Sequence, residues 1–251
     1  MRSSRRTTNL VINGLIGLVI AVGLALASFL IWALYIPSPM PEAISALGTT
    51  ANVTTNGEDL LVFAPVGREA TTGFVFYPGA RVDHRAYSPA MRLIAESGFL
   101  VVVPKMPLNM ALFAPDRARE VQGIFPNISK WIVGGHSMGG AFAAQFAASN
   151  QDTVKGLVLW ASYPPSSADL RSSSIKVVSI YGSSDGVATA DEVLAGRGLL
   201  PADAKFIEII GGNHAQFGWY GDQSGDLTAG ITRDEQQERT VAITVEFLKS
   251  L

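Results

Sequence analysis

The chain has 251 residues, with 19 basic and 21 acidic side chains and no cysteine. Charge this balanced, with no basic stripe or arginine cluster, excludes a nucleic-acid-binding protein. The missing thiols exclude disulfides and thiolate metal sites.

Residues 1–9 are polar and hold Arg2, Arg5 and Arg6. Residues 10–36 carry no charge, and Asn13 is their only strongly polar side chain. That run exceeds the ~20 residues a helix needs to span a bilayer. Trp32 and Tyr35 sit near its far end, where amphipathic rings favour the membrane interface. Pro37, Pro39 and Pro41 then break the helix and make a stiff exit. Ala25-Leu26-Ala27 fits the small-x-small rule of a cleaved signal peptide, but the apolar run continues about nine residues further, so a retained anchor is the better reading. A buried core helix is a poor fit to a run that is apolar on all faces. No lysine or arginine follows Arg6 until Arg68, so the basic head stays inside. The expected organisation is a cytoplasmic head over 1–9, a transmembrane helix over 10–36, a linker over 37–50 and one α/β domain over 51–251. The protein is then single-pass, with its domain extracytoplasmic. Without the three head arginines the remainder has 16 basic against 21 acidic residues and is mildly acidic.

Beyond the linker, residues 51–55 and 60–64 read as short strands joined by Asn56-Gly57, a hairpin signal. A third strand covers 72–77. The loop Pro78-Gly79-Ala80-Arg81-Val82-Asp83-His84 follows, then a helix over 87–97 with Met91, Ile94 and Ala95 at helical spacing, ended by Gly98. Residues 99–103 form an apolar strand, 105–114 are irregular, and 115–125 form a short helix with proline at its start. Further apolar strands cover 156–160, 175–181 and 204–210. Thr189-x-x-Glu192 and Thr232-x-x-Glu235 are capping boxes that open two more helices, the second running to about Lys249. Apolar strands alternating with helices predict a mostly parallel sheet covered on both faces, with the early hairpin as an antiparallel edge.

The stretch from Lys130 to Ser149 organises this order. The apolar Trp131-Ile132-Val133 predicts a buried strand, and the alanine-rich residues 141–148 predict a helix. Between them lies Gly135-His136-Ser137-Met138-Gly139, a Gly-x-Ser-x-Gly nucleophile elbow. A serine there sits in a strained conformation that stands its oxygen proud of the sheet, and Gly135 and Gly139 remove the clash this forces. The helix that follows aims its free N–H groups and positive dipole end at an oxyanion formed beside the serine. Ala141, Ala144 and Ala148 are small enough to bring that helix close to the sheet.

Serine needs a base, and the base needs an orienting carboxylate. With the order serine, acid, histidine, the chain's three histidines leave one candidate. His84 precedes the elbow, His136 lies inside it and points away from Ser137's chemistry, and His214 follows a late strand in Gly211-Gly212-Asn213-His214. The acid belongs at the end of the preceding strand, which supplies Asp185. Asp191 and Glu192 are rivals that fall in a helix cap. The expected oxyanion donors are the N–H of Met138 and that of Ala80, with Arg81 as the alternative to Ala80. Arg81 and His84 either contact a substrate carboxylate or brace their loop. Phe217, Trp219 and Tyr220 either wall a pocket or pack their loop onto the body.

These residues carry a resemblance. Over 51–251 the chain resembles an α/β-hydrolase of the serine-esterase type. More closely it resembles a bacterial group of small, often membrane-anchored α/β-hydrolases. The matching stretches include Phe76-Tyr77-Pro78-Gly79-Ala80-Arg81-Val82, Pro104-Lys105-Met106-Pro107-Leu108-Asn109, the elbow, Gly212-Asn213-His214-Ala215-Gln216-Phe217-Gly218 and the run from Tyr220 to Asp226. The resemblance implies an α/β-hydrolase fold, a triad on Ser137, Asp185 and His214, and hydrolysis of an ester or related acyl bond of a small molecule. No metal or organic cofactor is expected. Dienelactone hydrolases are distant relatives that often use cysteine, and Ser137 argues against copying their function. Acyl transfer by the same triad and a catalytically silent binding role are the alternatives. The short connection over 162–174 leaves no room for a helical cap.

Overall fold

The computed structural model describes residues 2–251, with side chains from Ile12 onward. It divides into two compact units, one reaching to Ile36 and the other Pro37–Leu251. The first is the helix α1 (Arg2–Leu34). Its segment Ile12–Leu34, of mean hydropathy 2.6, is long and apolar enough to cross a membrane by length and composition. From Ile12 on, its leucines and isoleucines are exposed.

The second unit contains the remaining elements. The segment expected as a linker is built into it: α2 (Pro41–Ser45) buries Ala43, and Met40 N–H donates to Trp219 O at 2.8 Å. The hairpin β1 (Val53–Asn56) and β2 (Leu60–Pro65) forms as expected, turning through Gly57 at φ 88°. The other strands are β3 (Thr72–Tyr77), β4 (Leu100–Pro104), β5 (Lys130–His136), β6 (Val154–Trp160), β7 (Lys176–Gly182) and β8 (Lys205–Ile209). They make one eight-stranded sheet in the order β1-β2-β4-β3-β5-β6-β7-β8. The β1–β2 and β2–β4 joints are antiparallel, and every joint from β4 to β8 is parallel.

Side-chain alternation along β3 shows how two cores arise. Phe74 and Phe76 point to the face covered by α3 (Ser88–Glu96) and α7 (Arg233–Lys249). Val75 and Tyr77 point to the face covered by α4 (Arg117–Ile124) and α5 (Met138–Ser149). Burial on both faces accounts for strands that read as continuous apolar runs. Met91, Ile94 and Ala95 are buried as their spacing predicts. The phase of α5 differs from expectation: Ala143, Ala144 and Ala147 are buried, while Ala141 and Ala148 are only half-buried.

Thr189 and Glu192 form the reciprocal capping box of α6 (Ala190–Ala195). Thr232 caps α7 by accepting from Glu235 N–H at 3.2 Å.

Among the described residues, five that are not glycine have positive φ: Arg81 (57°), Leu108 (51°), Asn109 (56°), Ser137 (53°) and Ala161 (45°). All five lie just past the C-terminal ends of β3 to β6. Each such conformation costs roughly 1–3 kcal/mol. Strain gathered at the carboxyl edge of a parallel sheet marks the end where ligands bind in open α/β folds.

Candidate active site

Ser137 stands between β5 and α5 with φ 53° and ψ −128°. Two contacts hold it there. Its N–H donates to Trp160 O at 2.9 Å, and its own carbonyl accepts from Ser162 Oγ at 2.7 Å. The glycines act as the spacing predicts. A Cβ on Gly135 would lie 2.5 Å from the Gly139 carbonyl carbon, and one on Gly139 would run into the carbonyl oxygens of Tyr77 and Pro78. Gly140 is equally constrained, by Ser162 Oγ at 2.6 Å. The elbow is thus clamped between the ends of β3 and β6.

His214 and Asp185 meet in the interior. His214 Nδ1 lies 2.8 Å from Asp185 Oδ2, and both side chains are fully buried. Asp185 Oδ1 accepts from Val187 N–H at 2.8 Å and Ala188 N–H at 2.7 Å, so both of its oxygens are engaged. The rivals are occupied elsewhere or exposed: Glu192 closes its capping box, and Asp191 faces solvent. His214 Nε2 is buried with no hydrogen-bond partner among the described residues, so the bond from Ser137 Oγ is not made in this state. Such contacts are commonly long in free enzymes and tighten around a substrate.

Two residues that sequence reasoning left without a role hold this pair in place. The Asp226 carboxylate accepts four backbone N–H groups: Gly186 (3.0 Å), His214 (3.2 Å), Ala215 (2.8 Å) and Leu227 (2.9 Å). It ties the aspartate loop to the histidine loop. Gln236 of α7, fully buried, exchanges two bonds with the backbone of Asn213, at 2.9 and 2.7 Å. Neither role has a sequence signal beyond the residue type, because each depends on loops brought together by the fold.

The loop after β3 sorts its own donors. Gly79 N–H donates to the Tyr87 hydroxyl at 3.0 Å, and Arg81 N–H donates to Asn109 O at 2.8 Å. Arg81 N–H is therefore spent and drops out as an oxyanion donor. Ala80 N–H, between them, has no hydrogen-bond partner among the described residues. Met138 is the first residue of α5, so its N–H has no partner within the helix. His84 is 7% exposed, with Nε2 2.6 Å from Glu58 O and Nδ1 3.3 Å from Asp83 Oδ1. It braces the loop instead of facing a substrate.

The expectation for His136 is corrected. Its ring does not point away from the chemistry: it packs 4.5 Å from the His214 ring, with Phe217 at 5.7 Å and Tyr220 at 6.3 Å. Burial first, and then the neighbouring His214, hold its pKa well below the usual histidine value. Phe217, Trp219 and Tyr220 are at least nine-tenths buried and pack their loop onto the body, with Trp219 also edging an open cavity between α3 and α7.

A sequence profile described as "Alpha/beta hydrolase family" matches residues 73–238. No curated protein is significantly similar to the chain. Among solved structures, a predicted CIB-like hydrolase from Thermoplasma acidophilum is similar at TM-score 0.62 and 16% identity, over 79% of this chain and 100% of that one. Est1E from Butyrivibrio proteoclasticus is similar at TM-score 0.55 and 11% identity, over 78% and 98%. Its complex with ferulic acid gives TM-score 0.57 and 12% identity, over 77% and 95%. Identities this low speak for the fold, and the profile match covers most of the chain. The protein belongs to the alpha/beta hydrolase family.

Proposed function

We propose that this hydrolase cleaves a carboxylic ester or related acyl bond through an acyl-enzyme on Ser137. One observation carries the reading: a serine held at φ 53° on a strand–helix junction shares the carboxyl edge of the sheet with a buried histidine–aspartate pair. Ser137 attacks the acyl carbonyl. His214 Nε2 takes the proton and later returns it to the leaving group. Asp185 holds the Nδ1–H tautomer and stabilises the imidazolium. The N–H groups of Met138 and Ala80 bind the oxyanion, which strengthens as the tetrahedral intermediate forms.

The connection from β6 to β7 contains no helix, so no cap covers the site from there. Short, soluble p-nitrophenyl esters should be turned over with a burst of nitrophenol matching the amount of protein, followed by a slower steady rate. The acyl group should be recovered on the Ser137 peptide by mass spectrometry, and the rate should rise smoothly through the micellar concentration of longer esters. Turnover with no acyl adduct would remove the acyl-enzyme; a rate that starts only above the micellar concentration would reveal a lid.

We infer the domain organisation and location from the apolar helix α1 and its flanking charge. Its apolar segment anchors the protein as a single transmembrane helix, residues 1–9 remain cytoplasmic, and the hydrolase domain lies outside the cytoplasm. Support comes from the charge asymmetry between Arg2, Arg5 and Arg6 on one side and the first later cation, Arg68, on the other. Protease added to intact spheroplasts should digest the domain; protection until lysis would show the opposite orientation. A soluble form is best cut after Ile36 and not after Pro41, because Met40 bonds to Trp219 and Pro41 opens α2.

A further inference from the structure

We propose that Tyr87 and His136 form a buried positioning pair that sets the oxyanion loop and the His214 imidazole together. This rests on the serine-hydrolase reading above. Tyr87 lies at the start of α3 and is fully buried, as is His136 at the end of β5. The tyrosine hydroxyl lies 3.0 Å from Gly79 N and 2.9 Å from His136 Nδ1. A backbone N–H only donates, so the hydroxyl oxygen accepts from Gly79, and Nδ1 is the one acceptor its own proton meets among the described residues. His136 is therefore the Nε2–H tautomer.

One hydroxyl thus fixes two things. It holds the N–H of the residue before Ala80, the expected oxyanion donor. It also orients the ring against which His214 packs at 4.5 Å. Room for this is built in at Gly79, where a Cβ would lie 2.9 Å from His136 Nδ1 and 3.1 Å from the Tyr87 hydroxyl. The titratable groups packed around His136 are Tyr87, Tyr220 and His214, with Asp185 beyond His214. Neutrality is part of the design. Burial keeps the proton off His136, so no second cation opposes the imidazolium that forms on His214 during turnover.

Tyr87→Phe in the full-length, detergent-solubilised protein removes the hydroxyl and keeps the ring that packs on Phe76 at 5.0 Å. The expected result is a kcat about 10- to 100-fold lower with KM little changed, as misplacement of reacting groups produces. Affinity for a boronic acid, whose tetrahedral adduct occupies the oxyanion site, should fall by a similar factor. Wild-type kcat and boronate affinity in Tyr87→Phe, alongside an inactive Ser137→Ala, would overturn the positioning role and leave the serine-hydrolase reading standing. Full activity in Ser137→Ala would overturn both. The tautomer is readable in the wild-type chain, whatever the folding of the variant. Nitrogen-15 NMR of the three histidines should show His136 neutral and Nε2-protonated between about pH 5 and 8. An Nδ1–H tautomer, or titration within that window, would overturn the pairing.

Discussion

Ser137→Ala is expected to lower kcat by on the order of 10⁴- to 10⁶-fold and to abolish labelling by a fluorophosphonate probe. The size of the loss follows from what is removed. The proposed nucleophile at the clamped junction of β5 and α5 is removed, and the neighbouring Ser162 hydroxyl is committed to Ser137 O. What survives is the oxyanion site and substrate binding, which by themselves give only a residual rate over water. The substitution should leave the fold nearly unchanged. Both bonds that hold the elbow, from Ser137 N–H to Trp160 O and from Ser162 Oγ to Ser137 O, use the backbone of residue 137 and not its side chain. Alanine at φ 53° bears the same Cβ strain as serine. Thermal unfolding should therefore move little while activity vanishes. Labelling at a different serine, with Ser137→Ala fully active, would end the assignment.

The elbow was legible because its demands are local. A backbone turned this sharply brings residues two before and two after the serine into contact, so glycine is required at fixed spacing, and a strand and helix must flank it. The order of strands was legible for a similar reason, since burial on both faces writes continuous apolar runs. The buried contact between His214 and Asp185 agrees with a pairing read from elimination among few histidines and from the place of Asp185 after an apolar strand. What stayed hidden is set by contacts between distant segments. Nothing in residues 84–88 announces that Tyr87 will meet His136, and nothing near Asp226 announces that its carboxylate will collect N–H groups from two loops. The choice between Ala80 and Arg81 was equally closed to sequence, because it turns on Asn109 O arriving opposite Arg81 N–H. The strain at Leu108 and Asn109 that delivers that carbonyl has no glycine to mark it. His136 was misjudged for the same reason: alternation along β5 sends it to the face of α3 and α7, and the histidine loop folds back over that face.

Asp185→Asn separates orientation from mere packing at the buried pair. The carboxamide has nearly the same shape, so the fold tolerates it. Its orientation, however, is dictated by the backbone. Oδ1 accepts from Val187 N–H and Ala188 N–H, and only an oxygen can occupy that position. The amide NH₂ must then take the place of Oδ2, 2.8 Å from His214 Nδ1. A donor facing Nδ1 forces the imidazole into the Nε2–H tautomer, which presents a proton to Ser137 in place of a lone pair. The base is lost without any atom moving far, and the charge that stabilises the imidazolium is lost with it. The expected result is a fall in kcat of about 10⁴-fold with KM little altered. Because hydroxide can deprotonate the serine without help from His214, the residual rate should climb with pH through the alkaline range more steeply than the wild-type rate. The pH–rate profile of Asp185→Asn checks this directly. A variant with near-wild-type kcat at neutral pH would show that Asp185 only fills space and that another carboxylate orients the histidine.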